Sequence, residues 1–173
     1  RLALGHPIEI ITGEEEARLI YLGVAHSLAF DDSRRLVMDI GGGSTEFIIG
    51  DGFKGLMRES LEMGCVSFSQ KFFADGKTTA TQMQHAMLAA ARRIRYIQRP
   101  YRQAGWQEAI GASGTIRTVA NICKEQGWAD DGIITSKALE KMVNYLIEAG
   151  SVEEAKLQGL SEERNNVIEL IYS

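Results

Sequence analysis

Two glycine-rich segments, each following a short apolar run, contain the residues best suited to chemistry. The first is Asp39-Ile40-Gly41-Gly42-Gly43-Ser44-Thr45-Glu46, and the second is Gly111-Ala112-Ser113-Gly114-Thr115. Because glycine has no Cβ, backbone N–H groups in such segments can approach a ligand closely and form a concavity that suits phosphate. The hydroxyls of Ser44 and Thr45 add further donors. Both segments are therefore predicted to bind phosphate.

Two acids flank the first segment: Asp39 precedes the glycines and Glu46 follows them. An aspartate there can hold a hydrated Mg²⁺ against a bound phosphate, because magnesium prefers oxygen ligands and keeps several waters. Glu46 is placed to hold the same metal or its water. A tight hairpin without a ligand is the alternative, but the acids, the hydroxyls and the second segment favour phosphate. Neither segment has the lysine of a P-loop or the spacing of a dinucleotide fingerprint.

Strands and helices alternate along the chain and must position these segments. Short β-branched and apolar runs predict strands at residues 7–11, 36–40, 46–50, within 56–68, and at 108–110. Helical spacing of apolar residues predicts helices at 14–27, 81–97, 116–125, 136–148 and 152–170, with Pro100 ending the second of them. This alternation predicts an α/β fold with a mixed sheet flanked by helices.

Composition narrows the functional classes. The 173 residues are 45% hydrophobic and 24% charged, which is ordinary for a globular domain and excludes wholesale disorder. A formal net charge of −4 argues against nucleic acid as a partner. Cys65 and Cys123 lack the spacing of a zinc site or a disulfide framework and are predicted to be core thiols in a reducing cytoplasm. No apolar run is long enough to cross a bilayer, so we expect a soluble, cytoplasmic protein.

Several segments together carry a resemblance to a known family. The segment 39–46 resembles the second phosphate loop of the actin-like ATPase superfamily. With residues 10–19, 63–66, 111–115 and 159–164, in this order, it is similar to the exopolyphosphatase/guanosine pentaphosphate phosphohydrolase (Ppx/GppA) family. The resemblance implies an actin-like (ribonuclease H-like) fold. It also implies Mg²⁺-dependent removal of the terminal phosphate of inorganic polyphosphate or of guanosine pentaphosphate (pppGpp).

The resemblance assigns a role to each site residue. It implies that Glu16 is the general base that activates water, and that Asp39 and Glu46 are the acids at the metal. The residues implied to cradle the reacting phosphate are Gly41, Gly42, Gly43, Ser44 and Thr45. Those implied to meet a farther part of the substrate are Gly111, Ser113, Gly114 and Thr115. Without the resemblance, Glu16 would be one of three equivalent acids in a first helical turn, favoured there by the helix dipole.

The expected function is that of an exopolyphosphatase, because Gly43 stands where the resemblance implies alanine in the pentaphosphate enzymes. A pppGpp phosphohydrolase and a non-catalytic phosphate or nucleotide sensor are the alternatives. Residues 1–30 are expected to be the last strand of a first actin-like domain and a connecting helix, and residues 31–173 a second such domain, truncated at its C-terminus. We therefore expect a piece of a longer enzyme, with little hydrolysis of its own and homodimeric in its complete form.

Five arginines between residues 92 and 102, with no acid among them, form a further candidate site. They could hold a polyphosphate chain through charge-assisted contacts. A solvated helix face, whose cations favour the C-terminal end of the helix, is the favoured interpretation.

Overall fold

The computed structural model describes residues 10–28 and 33–159, which contain six helices and four strands. In chain order these are α1 (Gly13–Ser27), β1 (Arg34–Ile40), β2 (Thr45–Asp51), β3 (Lys54–Leu61), α2 (Cys65–Phe72), α3 (Ala80–Ala104), β4 (Glu108–Gly111), α4 (Gly114–Glu125), α5 (Ser136–Ala149) and α6 (Val152–Ala155).

The four strands form one mixed sheet in the order β3-β2-β1-β4. β2 pairs antiparallel with both β1 and β3, whereas β4 pairs parallel with β1. Because β1 and β4 are parallel, their carboxyl ends, each followed by a glycine segment, lie at the same edge of the sheet. The predicted α/β fold with a mixed sheet is confirmed.

Helices cover both faces of this sheet. Tyr21 of α1 packs with Val37 and Ile48 on one face. Ile97 and Tyr101 of α3 pack on the other face with Phe47 and Ile49. Successive strand residues point to opposite faces, so the side chains that alternate with Phe47 and Ile49 point toward α1. The face covered by α1 is therefore also the face of the two acids that flank the first glycine segment.

A separate apolar cluster joins α4, α5 and α6. Cys123 is fully buried within it, which confirms that prediction. Cys65 is also a free thiol, but it is only half-buried at the start of α2. Its predicted place in the core was wrong, because it begins a helix at the edge of the sheet beside the glycine segments.

Pro100 does not end α3, contrary to prediction, because the helix continues to Ala104. A proline inside a helix removes one backbone hydrogen bond and crowds the preceding turn. Here Pro100 itself is exposed, while Ile97 and Tyr101 on either side of it are buried against the sheet. Packing of the last turn therefore outweighs the cost of the proline, and the helix ends at Gly105, whose φ is +67°.

Two predicted elements fall partly outside the described residues. Of the strand predicted at 7–11, only Ile10 and Ile11 are described, and they belong to no strand. The helix predicted at 152–170 is seen only as Val152–Ala155, because Lys156 adopts a left-handed backbone with φ of 45°. Residues 160–170 lie outside the described residues. No helix within the described ranges is long and apolar enough to cross a membrane.

Candidate active site

Two carboxyl groups lie side by side at the carboxyl end of β1. Asp39 of β1 and Glu46 of β2 are directly opposed in the antiparallel register. Residues opposed in this way project from the same face of a sheet with closely spaced Cβ atoms. Both therefore point toward α1, and burial, followed by the charge of Glu46, raises the pKa of Asp39.

A third carboxyl group comes from the first turn of α1. The pKa of Glu16 is raised by burial and then by the charges of Glu46 and Asp39. Its neighbour Glu15 behaves differently: its carboxylate accepts two hydrogen bonds from Arg18, at 2.8 and 2.6 Å, and its pKa is lowered. The fold thus separates two adjacent glutamates that the sequence pattern alone could not tell apart.

Glu46 is the most buried of the three, with 1% of its surface exposed. Its Oε1 accepts a hydrogen bond of 2.8 Å from the hydroxyl of Ser60, the residue opposite it on β3. Sequence reasoning missed Ser60, which lies outside every glycine segment. The signal that could have found it is the strand register, since β3 must pair with the strand that begins beside Glu46.

Backbone hydrogen bonds from the start of α2 fix the first glycine segment in place. The carbonyl of Gly41 accepts from the N–H of Cys65, and the carbonyl of Gly42 accepts from the N–H groups of Val66 and Ser67. Gly64 permits this contact, because a Cβ there would lie 2.2 Å from the Gly42 oxygen. The carbonyls of the segment therefore point toward the protein.

The opposite side of the same segment remains open. Gly42 and Gly43 are exposed, and within the described ranges the N–H groups of Gly42, Gly43 and Ser44 donate no hydrogen bond to another residue. Successive unpaired N–H groups form an anion-binding concavity. The hydroxyl of Thr45 is directed inward, where it is 3% exposed and donates to the carbonyl of Met63. A phosphate role for these residues stays a prediction.

The second glycine segment lies at the same edge of the sheet. The N–H of Ala112 donates to the carbonyl of Met38 at 2.9 Å, one residue before Asp39. Ser113 is buried and caps α4 by accepting from the N–H of Ile116. The Thr115 hydroxyl donates to the Cys65 thiol at 3.8 Å, so the starts of α2 and α4 touch. A helix start so placed favours a nearby anion.

The acid pair has the chemistry that Mg²⁺ requires, namely hard carboxylate oxygens. No group of three or more His, Cys, Asp or Glu side chains in the described part of the chain is arranged to hold a metal. A magnesium ion at Asp39 and Glu46 would therefore take most of its ligands from water and phosphate, which is its usual habit in phosphoryl-transfer sites. Asp39 and Glu46 can therefore hold Mg²⁺, provided that water and phosphate supply the remaining ligands.

The arginine-rich stretch lies in α3, on the face of the sheet opposite the one toward which these acids point, and the guanidinium of Arg93 lies 5.5 Å from the ring centre of Phe68 in α2. Arg95, Arg99 and Arg102 are exposed on one face of α3 and line a shallow depression with Gln98 and Gln103. The end of α3 is fixed at the opposite edge of the sheet, because the side chain of Arg34, the first residue of β1, donates to the carbonyl of Ala104 at 2.8 Å. For Arg95, Arg99 and Arg102 this position favours the solvated-face interpretation over a direct role at the glycine segments.

Comparison with characterised protein families gives a match over nearly the whole chain. Residues 1–170 match the model of the Ppx/GppA phosphatase family. Among curated proteins, a Haemophilus influenzae protein named "Putative exopolyphosphatase" is 43% identical over 94% of this chain and 50% of its own length. A Vibrio cholerae protein named guanosine-5'-triphosphate,3'-diphosphate pyrophosphatase is 44% identical over 93% of this chain and 32% of its own length. The chain thus spans half or less of these relatives.

Solved structures agree with this family. The Aquifex aeolicus PPX-GPPA enzyme superposes with a TM-score of 0.74 at 25% identity, covering 98% of this chain and 57% of that one. An exopolyphosphatase from Cytophaga hutchinsonii superposes with a TM-score of 0.71 at 25% identity, covering 94% and 55% respectively. The chain belongs to the Ppx/GppA phosphatase family.

Proposed function

We propose that the full-length protein is an exopolyphosphatase, which releases terminal orthophosphate from inorganic polyphosphate by attack of water. The observation that carries this proposal is that Glu16 lies within electrostatic range of the opposed pair Asp39 and Glu46, beside the open N–H groups of the first glycine segment. Phosphoryl transfer depends mainly on positioning and on neutralising charge, with one group orienting or deprotonating the nucleophile. The arrangement supplies a residue for each of these tasks.

Glu16 is the proposed general base. It is the most exposed of the three acids, so water can reach it, and partial desolvation together with the neighbouring acids raises its pKa, which makes it a better proton acceptor than an ordinary surface glutamate. The N–H groups of Gly42, Gly43 and Ser44 would hold the terminal phosphate, and the segment from Gly111 to Thr115 would meet the next part of the substrate. The negative charges of the acids beside these neutral donors repel phosphate. A cation is therefore needed for the phosphate to bind there.

Mg²⁺ is the proposed cation, held by Asp39 and Glu46. When bound, it would neutralise charge on the reacting phosphate and on the two acids. Buried Glu46 can keep one oxygen on Ser60 and present the other to the metal or its water. Titrating the metal-free full-length protein with Mg²⁺ by calorimetry tests this assignment, with Asp39→Asn expected to weaken binding by about tenfold or more and Asp51→Asn as the control carboxylate.

Hydrolysis of pppGpp is the second candidate, supported by 44% identity to a protein named as a pppGpp pyrophosphatase against 43% to one named as an exopolyphosphatase. Gly43 favours polyphosphate. Incubating the full-length protein with each substrate and measuring released orthophosphate decides between them. Release mainly from pppGpp would overturn the proposal, and binding without release from either substrate would favour the phosphate or nucleotide sensor.

Gly43 offers a sharper version of this test. A Cβ at Gly43 would meet nothing within 4 Å, and its φ lies outside the left-handed region, so Gly43→Ala should fold normally. If this position sets substrate preference, the variant should lower the ratio of polyphosphate to pppGpp hydrolysis. An unchanged ratio would remove Gly43 as an argument for polyphosphate.

A further inference from the structure

Ser60 joins two parts of the candidate active site. On one side, its hydroxyl donates to Oε1 of Glu46 at 2.8 Å, from the directly opposed position on β3. Glu46 is 1% exposed, and no other side chain in the described ranges donates a hydrogen bond to its carboxylate. A buried carboxylate without a donor is costly, so this one bond has a large influence on how Glu46 is oriented.

On its other side, Ser60 lies against the start of α1. A Cβ built on Gly13 would lie 2.6 Å from both the Cβ and the Oγ of Ser60. The first turn of α1 therefore rests directly on this serine. Glu16 is three residues beyond Gly13 in the same helix, so the height of the helix above Ser60 sets the height of Glu16 above the sheet.

We propose that Ser60 is a positioning residue, whose hydroxyl orients the carboxylate of Glu46 and whose contact with Gly13 fixes the distance from that carboxylate to Glu16. The proposal rests on the proposed function, because it matters only if these acids act on phosphate. Groups that orient metal-binding carboxylates commonly change activity by about 10- to 100-fold when removed. Ser60 itself needs no contact with the substrate.

Two variants separate the hydroxyl from the packing. Ser60→Ala removes the donor and part of the contact with Gly13, whereas Ser60→Cys keeps a side chain of similar shape with a much weaker donor. In the full-length protein we expect both to lower kcat for phosphate release by about 10-fold or more, with little change in KM. Ser69→Ala is the matched control, because Ser69 is also buried, in α2, and forms no hydrogen bond with any of the three acids.

Each outcome decides the question. Normal kcat in Ser60→Ala, whatever the result for Ser60→Cys, or a raised KM with normal kcat, would overturn the proposal. Normal kcat in Ser60→Cys alone would assign the effect to packing and overturn the role of the hydroxyl. If Ser60→Ala fails to fold, Ser60→Cys alone gives the answer.

A second measurement keeps this test independent of the proposed function. If the wild-type protein releases phosphate from neither substrate, the proposed function fails, and melting temperatures then test the contact itself. Ser60→Ala should lower the melting temperature of the wild type but have a smaller effect in a Glu46→Ala background, because the hydrogen-bond partner is then absent. Equal effects in both backgrounds would show that Ser60 does not act through Glu46.

Discussion

The guanidinium of Arg18 holds both carboxylate oxygens of Glu15, one turn earlier in α1, at 2.8 and 2.6 Å. Glu16, the next residue, has no such partner among residues 10–28 and 33–159, and instead shares its electrostatic environment with Glu46 and Asp39. Two adjacent glutamates therefore have opposite environments: the pKa of one is lowered by a cation, and that of the other is raised by burial and by neighbouring acids. This contrast makes the proposed role of Glu16 as general base testable with a closely matched pair of variants.

Glu16→Gln should abolish most of the phosphate release of the full-length protein. Loss of a general base typically lowers the rate by about 10²- to 10⁴-fold, while substrate binding, which we propose to depend on the glycine segments, should remain. Initial rates of orthophosphate release and equilibrium binding of the proposed substrate, polyphosphate, measure the two effects. Glu15→Gln is the control and should stay near wild type, and equal losses in both variants would remove Glu16 from this role.

Asp39 should make the stability of the protein depend on pH. Because the pKa of Asp39 is raised by burial and by Glu46, the folded state holds its proton more tightly than the unfolded state does. Its contribution to stability is therefore present below the unfolded pKa and is lost as the pH rises through the folded pKa. Asp39→Asn should raise the free energy of unfolding at pH 7 by about 1 kcal/mol, and the gain should vanish in acid.

Asp51 provides a control of opposite sign. Its carboxylate accepts two hydrogen bonds from Arg34, at 2.8 and 2.9 Å, which lowers its pKa. Asp51→Asn should therefore destabilise the protein at pH 7, with a difference that shrinks as the pH falls. Urea unfolding of both variants at pH 7 and at pH 3.5 measures these differences. A shift of the same sign in both variants would contradict the assignment of their environments.

Gly64→Ala should damage the first glycine segment. The added Cβ would lie 2.2 Å from the carbonyl oxygen of Gly42, and backbone cannot yield as a flexible side chain can. We expect a loss of about 1–3 kcal/mol in unfolding free energy and a large loss of phosphate release. Gly43→Ala, which meets no neighbour, is the matched control for stability. Thermal unfolding measures the difference. Equal melting temperatures of Gly64→Ala and Gly43→Ala would contradict the prediction.

Tyr101 ties the last turn of α3 to the sheet. Its hydroxyl donates to the carbonyl of Phe47 at 2.8 Å, and burial raises its pKa. Tyr101→Phe should cost about 1–2 kcal/mol in the free energy of unfolding, because a buried bond is lost. The control is Tyr96→Phe in the same helix, where the side chain is 86% exposed and no change is expected. Equal effects on chemical denaturation would show that the bond contributes nothing.

Local patterns in the sequence predicted most of the fold, because its elements follow local rules. Thr12 accepts a hydrogen bond from the N–H of Glu15 at the start of α1, and Gly127, with φ of +66°, follows the end of α4. Both helix-end signals can be recognised from residue type and spacing. The end of α3 could not be predicted from the local sequence. The helix continues past Pro100 because Tyr101 is buried against the sheet.

The sequence allowed us to predict which residues form the candidate site, but not which contacts these residues make. Asp39 and Glu46 flank the glycines in sequence, so their proximity follows from a hairpin. The bond from Ser60 to Glu46 depends on the register of a third strand, which no local pattern specifies. The inward turn of the Thr45 hydroxyl, toward the carbonyl of Met63, likewise depends on packing between separate segments.

Neutralising the arginines of α3 should leave substrate binding unchanged. Arg95 and Arg99 lie on the exposed face of α3, which packs on the face of the sheet opposite the one toward which the three acids point. Exposed charges separated by more than about 10 Å are largely screened at 0.1 M salt. The double variant Arg95→Gln/Arg99→Gln should therefore keep the KM of the full-length protein for long-chain polyphosphate within about twofold. A KM that rises severalfold, and more so for long chains than for short ones, would show instead that this face of α3 holds the far end of the substrate.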